Sequence, residues 1–413
     1  MKRVNILLIL VFASICLSCA KAPSIYQDSE DMLKTAGNLR KFHAIVHFPK
    51  EIKLNYPGYI VGVEKSPQDK VAKMGIKLLT KDKGGIKRII KRVQKSHKVL
   101  YISHIYSYNR GVKPLYNLYT TDKKYIKNAF NNSYIALDRL KKDITKNRAK
   151  YNIVLVFVMG WNTSQEEALR NFNSLYRNIK EQSSKDFKPL FIGVTWPSEW
   201  ESSLAPDGAI KLSSFPGKAA DADELGITWL GALLHNTLKD IKLPIVVVGH
   251  SFGARALSVA TFKGNSVYKK SPLKLNKIDK YIALQGAFSM NRFLHKGIEK
   301  IYFNTDQTKT KVIFTSSKYD SANKMPIVWN TPYVGSSISY KRHCKSKYSN
   351  KFTCIKYKKN DITKYLKSID KLLYLDCSSI VKNNIYNSGG GAHSDIYDKE
   401  MGYLLWQIIK SSY

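Results

Sequence analysis

The segment IVVVGHSFGAR, residues 245–255, gives the strongest indication of how this chain folds. Its first four residues are apolar and β-branched, which is typical of a buried strand. They lead into Gly-x-Ser-x-Gly and then into small residues that can begin a helix. The pattern predicts a strand, a tight turn at Ser251 and a helix, so that the serine hydroxyl stands clear of the sheet. Gly249 and Gly253 leave room for the strained backbone and for close packing of the helix. Short matches to this pattern also arise by chance, but the preceding strand favours a catalytic serine.

Short apolar runs alternate with amphipathic stretches from residue 151 onward. Six runs are predicted as buried strands: residues 153–158, 190–195, 245–248, 281–284, 312–315 and 372–375. One predicted helix follows the capping-box spacing at residues 163–166, another covers 225–238, and the last covers 397–408. This alternation predicts an α/β fold, with a mostly parallel central sheet covered by helices on both faces.

The remaining chain divides by composition. Residues 1–19 are predicted to be an export signal, and residues 149–413 the α/β domain. Between them, residues 20–148 are lysine-rich and poorly patterned, although 58–63 and 99–102 are typical of strands. The tract 340–368 is dense in Lys, Tyr and Ser, and we interpret it as an insertion in the α/β domain.

The first residues are typical of a secretory signal. Lys2 and Arg3 precede an apolar run at 4–15 that is too short to span a membrane comfortably. Cys19 follows a small residue directly after this run, which resembles a bacterial lipoprotein signal in which that cysteine is lipidated. Cleavage after Ala22 is the alternative. We expect an exported protein, either anchored in the bacterial envelope as a lipoprotein or periplasmic or secreted.

The other cysteines fit an oxidising compartment. Cys344 and Cys354 bracket a polar loop and are expected to form a disulfide. Cys377 lies in a strand-like run and is expected to be a buried thiol. No cysteine has metal-site spacing with a histidine, so no metal site is predicted.

The formal net charge of +37 indicates attraction to anionic partners, with an anionic membrane surface as the candidate. A general lysine bias in the composition is the simpler explanation of the charge, and we expect at most a weak general affinity for anionic surfaces. The basic residues are spread along the chain, and the sequence has no recognisable nucleic-acid module. We therefore expect no specific nucleic-acid partner.

A serine hydroxyl needs a general base, and the base needs an acid that orients it. In this fold class the acid and the base follow the serine in that order. His393 lies in the glycine-rich loop 387–395, between the last predicted strand and the last helix, which suits the base. His295 precedes the acid, and His343 lies in the insertion, where it is expected to be solvated.

Asp320 is the candidate acid, because it follows the predicted strand 312–315 and catalytic groups gather at the carboxyl ends of strands. Capping of a turn is its alternative role. Asp361, Asp370 and Asp376 are weaker candidates, and Asp376 replaces Asp320 if the strand register differs.

Main-chain N–H groups are predicted to stabilise the oxyanion. One belongs to Phe252, directly after the serine, and the other to Trp161 in the loop 159–163. Trp196 and His250 are expected to shape the substrate pocket. Trp161, Trp196, Trp200 and Phe215 are candidates for an apolar acyl site, with ordinary core packing as the alternative.

Four segments in order resemble successive signatures of the alpha/beta-hydrolase superfamily: VMGWNT at 158–163, VTWPS at 194–198, GHSFG at 249–253 and GAHSD at 391–395. They are most similar to a bacterial branch with a Gly-aromatic-Asn loop and a Trp-Pro-Ser strand end. The resemblance implies an alpha/beta-hydrolase fold that needs no metal or organic cofactor. Met159 stands where many relatives carry histidine.

These features predict an exported serine hydrolase that cleaves small-molecule or lipid carboxylic esters through Ser251, His393 and Asp320. An acyltransferase with the same acyl-enzyme is one alternative, since an alcohol then replaces water. A non-catalytic envelope module that uses the hydrolase scaffold for binding is the other.

Overall fold

The structure is a computed structural model that describes most of the chain from residue 55 onward. The described residues are 55–67, 89, 98–118, 128–163, 165–198, 207–264, 267, 277–294, 301–303, 305, 308–324, 332–345, 349–359, 361–368, 372–385, 387 and 390–412. The predicted export signal, Cys19, Trp200, His295 and Asp370 lie outside these residues.

Ten strands of the described chain form one sheet. Their order across the sheet is β3, β2, β1, β5, β4, β6, β7, β8, β10, β9. The pairs β1–β2 and β2–β3, at one side of the sheet, are antiparallel. All the pairs from β1 across the sheet to β9 at the opposite edge are parallel. The strands are β1 (Gly58–Pro67), β2 (Lys98–Ser107), β3 (Lys113–Asn117), β4 (Ile153–Val158), β5 (Pro189–Thr195), β6 (Ile245–His250), β7 (Lys280–Leu284), β8 (Lys311–Ser316), β9 (Thr353–Lys356) and β10 (Leu372–Asp376). The α/β fold with a mostly parallel sheet is confirmed.

Side chains of the central strands alternate between two cores, one on each face of the sheet. In β4, Val154, Val156 and Val158 belong to one core, and Ile153, Leu155 and Phe157 to the other. Successive side chains of a strand point to opposite faces, so a strand buried on both faces needs an unbroken apolar run. This requirement is why the six predicted strands correspond to β4, β5, β6, β7, β8 and β10.

Helices cover both faces, as predicted. The first core holds apolar side chains from α1, α3 and α4, and the second holds side chains from α2, α6 and α7. Helix α3 continues through two π-helical turns, Gly226–Leu230 and Leu233–Thr237. The helices are α1 (Ala129–Asn147), α2 (Gln165–Gln182), α3 (Asp207–Leu225), α4 (Phe252–Lys263), α5 (Ser337–Cys344), α6 (Ile362–Ser368) and α7 (Lys399–Ile409).

The region before residue 149 contributes to the same sheet. Strands β1 and β2 confirm the two strand-like runs of the sequence, and β3 and α1 add two elements that the sequence did not indicate. Strand β1 pairs in parallel with β5, so these elements extend the sheet on the β5 side. Among the described helices, each is too short or too polar to span a lipid bilayer.

The tract 340–368 contains the end of α5, strand β9 and helix α6. Cys344 at the end of α5 is bonded to Cys354 in β9, which confirms the expected disulfide. Cys377 is a buried free thiol, as predicted, and burial raises its pKa above the ordinary value. Strand β9 pairs with β10 and forms one edge of the sheet.

Candidate active site

Ser251 occupies the turn between β6 and α4 in a strained conformation. Its φ is 54° and its ψ is −120°, values that cost a residue other than glycine on the order of 1–3 kcal/mol. Two main-chain hydrogen bonds hold the turn: Ser251 N donates to Leu284 O (3.1 Å), and Ala287 N donates to Ser251 O (3.1 Å). The loop after β7 therefore fixes the elbow that the sequence predicted.

Gly253 allows the first turn of α4 to touch the end of β4. A Cβ atom at this position would lie 2.1 Å from the main-chain oxygen of Val158 and 2.5 Å from that of Met159. No side chain fits there, so glycine is required by the close approach of helix and strand. This packing brings the start of α4 beside the loop that follows β4.

Asp320 and His393 are joined by a hydrogen bond of 3.0 Å between Asp320 Oδ2 and His393 Nδ1. An ionised carboxylate only accepts hydrogen bonds, so Nδ1 carries the proton and Nε2 is free to act as a base. Asp320 is fully buried, whereas the His393 side chain is 16% exposed. This geometry meets the requirement for a base that is oriented by an acid.

Main-chain contacts fix the relative positions of the two loops that carry this pair. Asp320 and Gly391 form an isolated antiparallel bridge, and Ala392 N donates to Tyr319 O over 2.9 Å. Gly391 has a φ of 59°, and a Cβ atom there would lie 2.4 Å from Tyr319 O. The glycine-rich loop thus turns sharply against the loop after β8 and brings His393 to Asp320.

His250 connects the base loop to the serine turn. Its Nε2 donates to the main-chain oxygen of His393 over 2.9 Å, and the two imidazole centroids are 4.8 Å apart. Burial, and next the charge on His393, lower the pKa of His250 to about 3, so its imidazole is neutral at neutral pH. The contact brings Ser251, which follows His250, and His393 to the same edge of the sheet.

The loop after β4 lies directly against the serine. A Cβ atom on Gly160 would be 2.6 Å from Ser251 Cβ and 3.2 Å from Ser251 Oγ. The next residue, Trp161, carries one of the two predicted oxyanion donors. The other, Phe252 N, belongs to the first turn of α4, where main-chain N–H groups have no partner within the helix.

The Trp-Pro-Ser strand end supports this loop. Trp196 Nε1 donates to Met159 O over 2.9 Å, and Asn162 N donates to Ser198 O over 3.2 Å. Ser198 Oγ accepts from Thr163 N (3.1 Å) and donates to Thr163 O (2.6 Å). Trp196 is only 2% exposed, so it lies beneath the loop. Asn162 has a φ of 59°, a strained value that these bonds hold in place.

Half-buried aromatic rings lie beside the serine turn. Trp161 meets Phe215 edge-on at 5.5 Å between ring centroids, and Phe215 lies 4.8 Å from Phe252. The Phe215 ring also stacks on Tyr333 at 6.1 Å. Two of the candidate acyl-site residues, Trp161 and Phe215, are thus neighbours and partly accessible.

A buried charge cluster anchors helix α4. The carboxylate of Asp223 contacts two guanidinium groups. Arg255 Nη2 lies 2.7 Å from Asp223 Oδ2, and Arg292 Nη1 lies 3.0 Å from Asp223 Oδ1. Burial of Asp223 opposes ionisation, but the two cations prevail and lower the pKa of this carboxyl group. No sequence pattern marks this cluster, because its members come from α3, α4 and the turn after β7.

Two alternatives from the sequence lie apart from the His393 pair. The carboxylate of Asp376 accepts from Ser378 N (3.1 Å) and Ser378 Oγ, which caps the turn after β10. The expectation that His343 is solvated was wrong: it is 4% exposed, and its Nδ1 bonds Ser339 O over 2.7 Å. The position of His343 on the inner side of α5 explains its burial. Among the described residues, no cluster of three His, Cys, Asp or Glu side chains is arranged to hold a metal ion.

The sequence also missed Asn323. Its amide contacts Asp320 Oδ2 at 2.7 Å and lies 3.3 Å from His393 Nδ1. No motif marks an asparagine at this position, because its partners come from different loops.

A family model described as "Alpha/beta hydrolase of unknown function (DUF900)" matches residues 135–353. The matched residues include Ser251 and Asp320, whereas His393 follows them in the chain. No curated protein matches the sequence significantly.

Solved structures that match with weak similarity include two tryptophan synthase alpha chains. One, from Legionella pneumophila subsp. pneumophila, is 12% identical in sequence. The alignment covers 66% of this chain and 97% of that chain, with a TM-score of 0.21. The other, from Legionella pneumophila str. Paris, is 12% identical, with coverage of 67% and 97% and a TM-score of 0.19.

Proposed function

The chain belongs to the family of alpha/beta hydrolases of unknown function (DUF900), and we propose that it is an exported serine hydrolase that cleaves carboxylic esters. The observation that carries this proposal is the 3.0 Å hydrogen bond between Asp320 and His393, at the sheet edge where Ser251 occupies a strained turn. A strained serine, a base and an orienting acid are the parts that nucleophilic acyl transfer requires.

In the first half of the reaction, Ser251 Oγ attacks the ester carbonyl carbon while its proton passes to His393 Nε2. The carbonyl π electrons move to oxygen, and the main-chain N–H groups of Trp161 and Phe252 stabilise the resulting oxyanion. When the carbonyl re-forms, the ester C–O bond breaks, and His393 gives the proton to the departing alcohol. The acyl group remains on Ser251.

In the second half, water attacks the acyl-enzyme and loses a proton to His393. The oxyanion forms again, the bond to Ser251 Oγ breaks, and the proton returns to the serine. The products are an alcohol and a carboxylic acid, and the protein is unchanged. If an alcohol replaces water in this half, the same residues perform acyl transfer.

The proposed acyl site is the aromatic group formed by Trp161, Phe215, Phe252 and Tyr333. The partly accessible rings of Trp161 and Phe215 offer an apolar surface to the acyl part of an ester, and the buried rings of Phe252 and Tyr333 pack against Phe215. We propose small-molecule or lipid esters with an apolar acyl group as substrates. The rate of hydrolysis across a series of chromogenic esters with increasing chain length tests this, and a preference for acetate over longer acyl groups would contradict it.

Labelling with a fluorophosphonate probe tests the nucleophile. We expect the wild type to be labelled, Ser251→Ala to lose labelling, and Ser258→Ala, two turns along α4, to keep it. Loss of the serine of a triad typically lowers kcat by about 10⁶. An unlabelled wild type would favour the non-catalytic binding module, and a labelled Ser251→Ala would mean that another serine is reactive.

We also propose that the protein acts at the bacterial envelope, as a lipoprotein anchored at Cys19. The first residues are basic, an apolar run follows, and a small residue precedes Cys19; this order supports export. The Cys344–Cys354 disulfide is typical of an oxidising compartment. The net charge of +37 supports contact with an anionic membrane surface. Mass spectrometry of the mature N-terminus tests the anchor, and an unmodified terminus beyond Cys19 would refute it.

A further inference from the structure

Asn323 lies behind the Asp320–His393 pair, away from solvent. It is 1% exposed and belongs to the short 3₁₀ turn Ala322–Lys324, three residues after Asp320. Its Nδ2 group donates to Asp320 Oδ2 (2.7 Å) and to the main-chain oxygen of Gln285 (2.8 Å). The amide therefore spans from the loop after β8 to the loop after β7.

The carboxylate of Asp320 receives three N–H groups. Asn323 N donates to Oδ1 over 3.0 Å, and Oδ2 accepts from both Asn323 Nδ2 and His393 Nδ1. The bond to Oδ1 alone would be an ordinary cap of the turn. The amide bond to Oδ2 adds something that a cap does not need, because it fixes the oxygen that faces the imidazole.

The neighbouring backbone leaves space for this amide. A Cβ atom on Gly335 would lie 2.1 Å from Asn323 Nδ2 and 2.7 Å from the carbonyl carbon of Gln285. Gln285 itself has a φ of 44°, a strained value at the end of β7. Both oxygens facing Nδ2 are acceptors, so an NH₂ group fits this position and an oxygen does not.

We propose that Asn323 is a positioning residue for the proposed reaction: its amide holds Asp320 Oδ2 toward His393 Nδ1 and fills the adjoining space with a neutral donor. This inference rests on the proposed function for its effect on rate, and on geometry alone for its effect on the imidazole. Asn323 is buried behind Asp320, so it acts on turnover and leaves substrate binding unchanged.

The Asn323→Asp substitution keeps the shape of the side chain but replaces its Nδ2 donor group with a carboxylate oxygen. The new carboxylate meets Asp320 and the Gln285 oxygen, and two carboxylates in such contact do not both ionise freely. The fraction of this second carboxylate that ionises adds negative charge beside the ring, and that charge favours the protonated imidazole. The other titratable groups near His393 are Asp320 and His250, whereas the carboxylate of Asp395 binds the main-chain N–H groups of Lys382 and Asn383.

The matched control is Asn178→Asp. Asn178 is also buried, at 2% exposure, and its Nδ2 donates to the main-chain oxygen of Tyr397, at the contact of α2 with α7. The two substitutions bury the same new group, but only one lies at the proposed triad. A general loss of stability affects both variants, whereas an effect on His393 is confined to Asn323→Asp.

The experiment compares full-length wild type, Asn323→Asp and Asn178→Asp by two measurements. The first is the pH dependence of kcat and KM on a chromogenic ester, and the second is an NMR titration of the His393 ring. For Asn323→Asp we expect kcat to fall about 10–100-fold, with KM nearly unchanged. This range is typical when a residue that orients a functional side chain is lost, as known for residues that orient metal ligands. The acid limb of the rate profile and the ring titration should both move to higher pH, and neither should move in Asn178→Asp.

The outcomes separate the two proposals. A shifted ring titration in a protein without esterase activity would support the positioning contact and refute the proposed function. An unshifted titration, or a shift equal to that of Asn178→Asp, would overturn the inference about Asn323. If Asn323→Asp does not fold, Asn323→Ala replaces it: lower kcat at constant KM supports the inference, and unchanged kcat overturns it.

Discussion

His250 donates a hydrogen bond from Nε2 to the main-chain oxygen of His393 over 2.9 Å. The first residue immediately precedes the proposed nucleophile, and the second is the proposed base. The bond therefore connects the end of β6 with the loop after β10, which are separated by 143 positions in the chain. Because the acceptor is a main-chain atom, the His393 imidazole remains free to bind Asp320 and to exchange a proton.

His250→Leu should lower both stability and turnover. The variant leaves the His393 oxygen without its donor, and an unsatisfied buried acceptor costs about 1–3 kcal/mol. His235→Leu is the control, since buried His235 makes the same type of bond to Ala260 O (2.7 Å) at the far end of α4. We expect urea unfolding to reveal a loss of stability in both variants, smaller in His235→Leu because Gly264 N also donates to Ala260 O (3.2 Å), and kcat to fall only in His250→Leu. An equal fall in kcat would contradict a role of this bond at the site.

Stability should decline as the pH falls below about 6.5. Burial lowers the pKa of His250 to about 3 and that of His235 to about 4, from an ordinary value of 6.5. Between these values the unfolded chain binds protons that the folded chain does not, so each histidine lowers the unfolding free energy by about 1.4 kcal/mol per pH unit. Urea unfolding between pH 7 and pH 4 checks this. The decline should be shallower in a His250→Leu, His235→Leu double variant, and equal slopes would count against buried neutral histidines.

Gly160→Ala should impair catalysis more than folding. Its Cβ atom would lie 2.6 Å from Ser251 Cβ, so either the serine or the loop that carries Trp161 N must shift. Removal of one oxyanion donor typically lowers kcat by about 10²–10³, and we expect a loss in this range. Gly217→Ala in α3 is the control, because no atom lies within 4 Å of the added Cβ. Ester hydrolysis by Gly160→Ala at the wild-type rate would show that the loop is not part of the site.

Loss of the disulfide should destabilise the protein. Cys344 and Cys354 close a short loop with a sequence separation of 10, for which chain entropy predicts about 3 kcal/mol. A Cys344→Ser, Cys354→Ser double variant should unfold at lower urea concentration than the wild type. A thiol reductant should lower the wild-type midpoint to that of the variant and leave the variant unaffected. A reductant-sensitive variant would mean that another disulfide is present.

The sequence predicted the strands that are buried on both faces and missed those at the edges. Strands β4 to β8 and β10 are continuous apolar runs, because both sides must be covered. Strand β3 has two exposed residues at its start, and β9 is four residues long and only partly buried, so neither needs such a run. Helix α1 was missed although Phe130, Leu137 and Leu140 fall on one face, since its many Asn and Lys residues obscured the period.

The meeting of Asp320 with His393 followed from their positions after β8 and β10, because the carboxyl ends of parallel strands share an edge. The contacts that support this pair and the loop after β4 were not predictable. Asn323 depends on Gln285 in another loop, and Ser198 depends on Thr163, and no fixed spacing in the chain relates these partners. Such contacts exist only after the sheet has brought its loops together.

Strand β10 lies between β8 and β9 in the sheet, although β9 precedes it in the chain. A nascent chain leaving the ribosome therefore has an unfinished sheet edge until residues 372–376 have emerged. His393 emerges later still, long after Ser251. If the proposed chemistry holds, a translation product that includes Ser251 but stops before His393 has a hydroxyl without its imidazole, and the capacity to attack esters arises only after both residues have emerged.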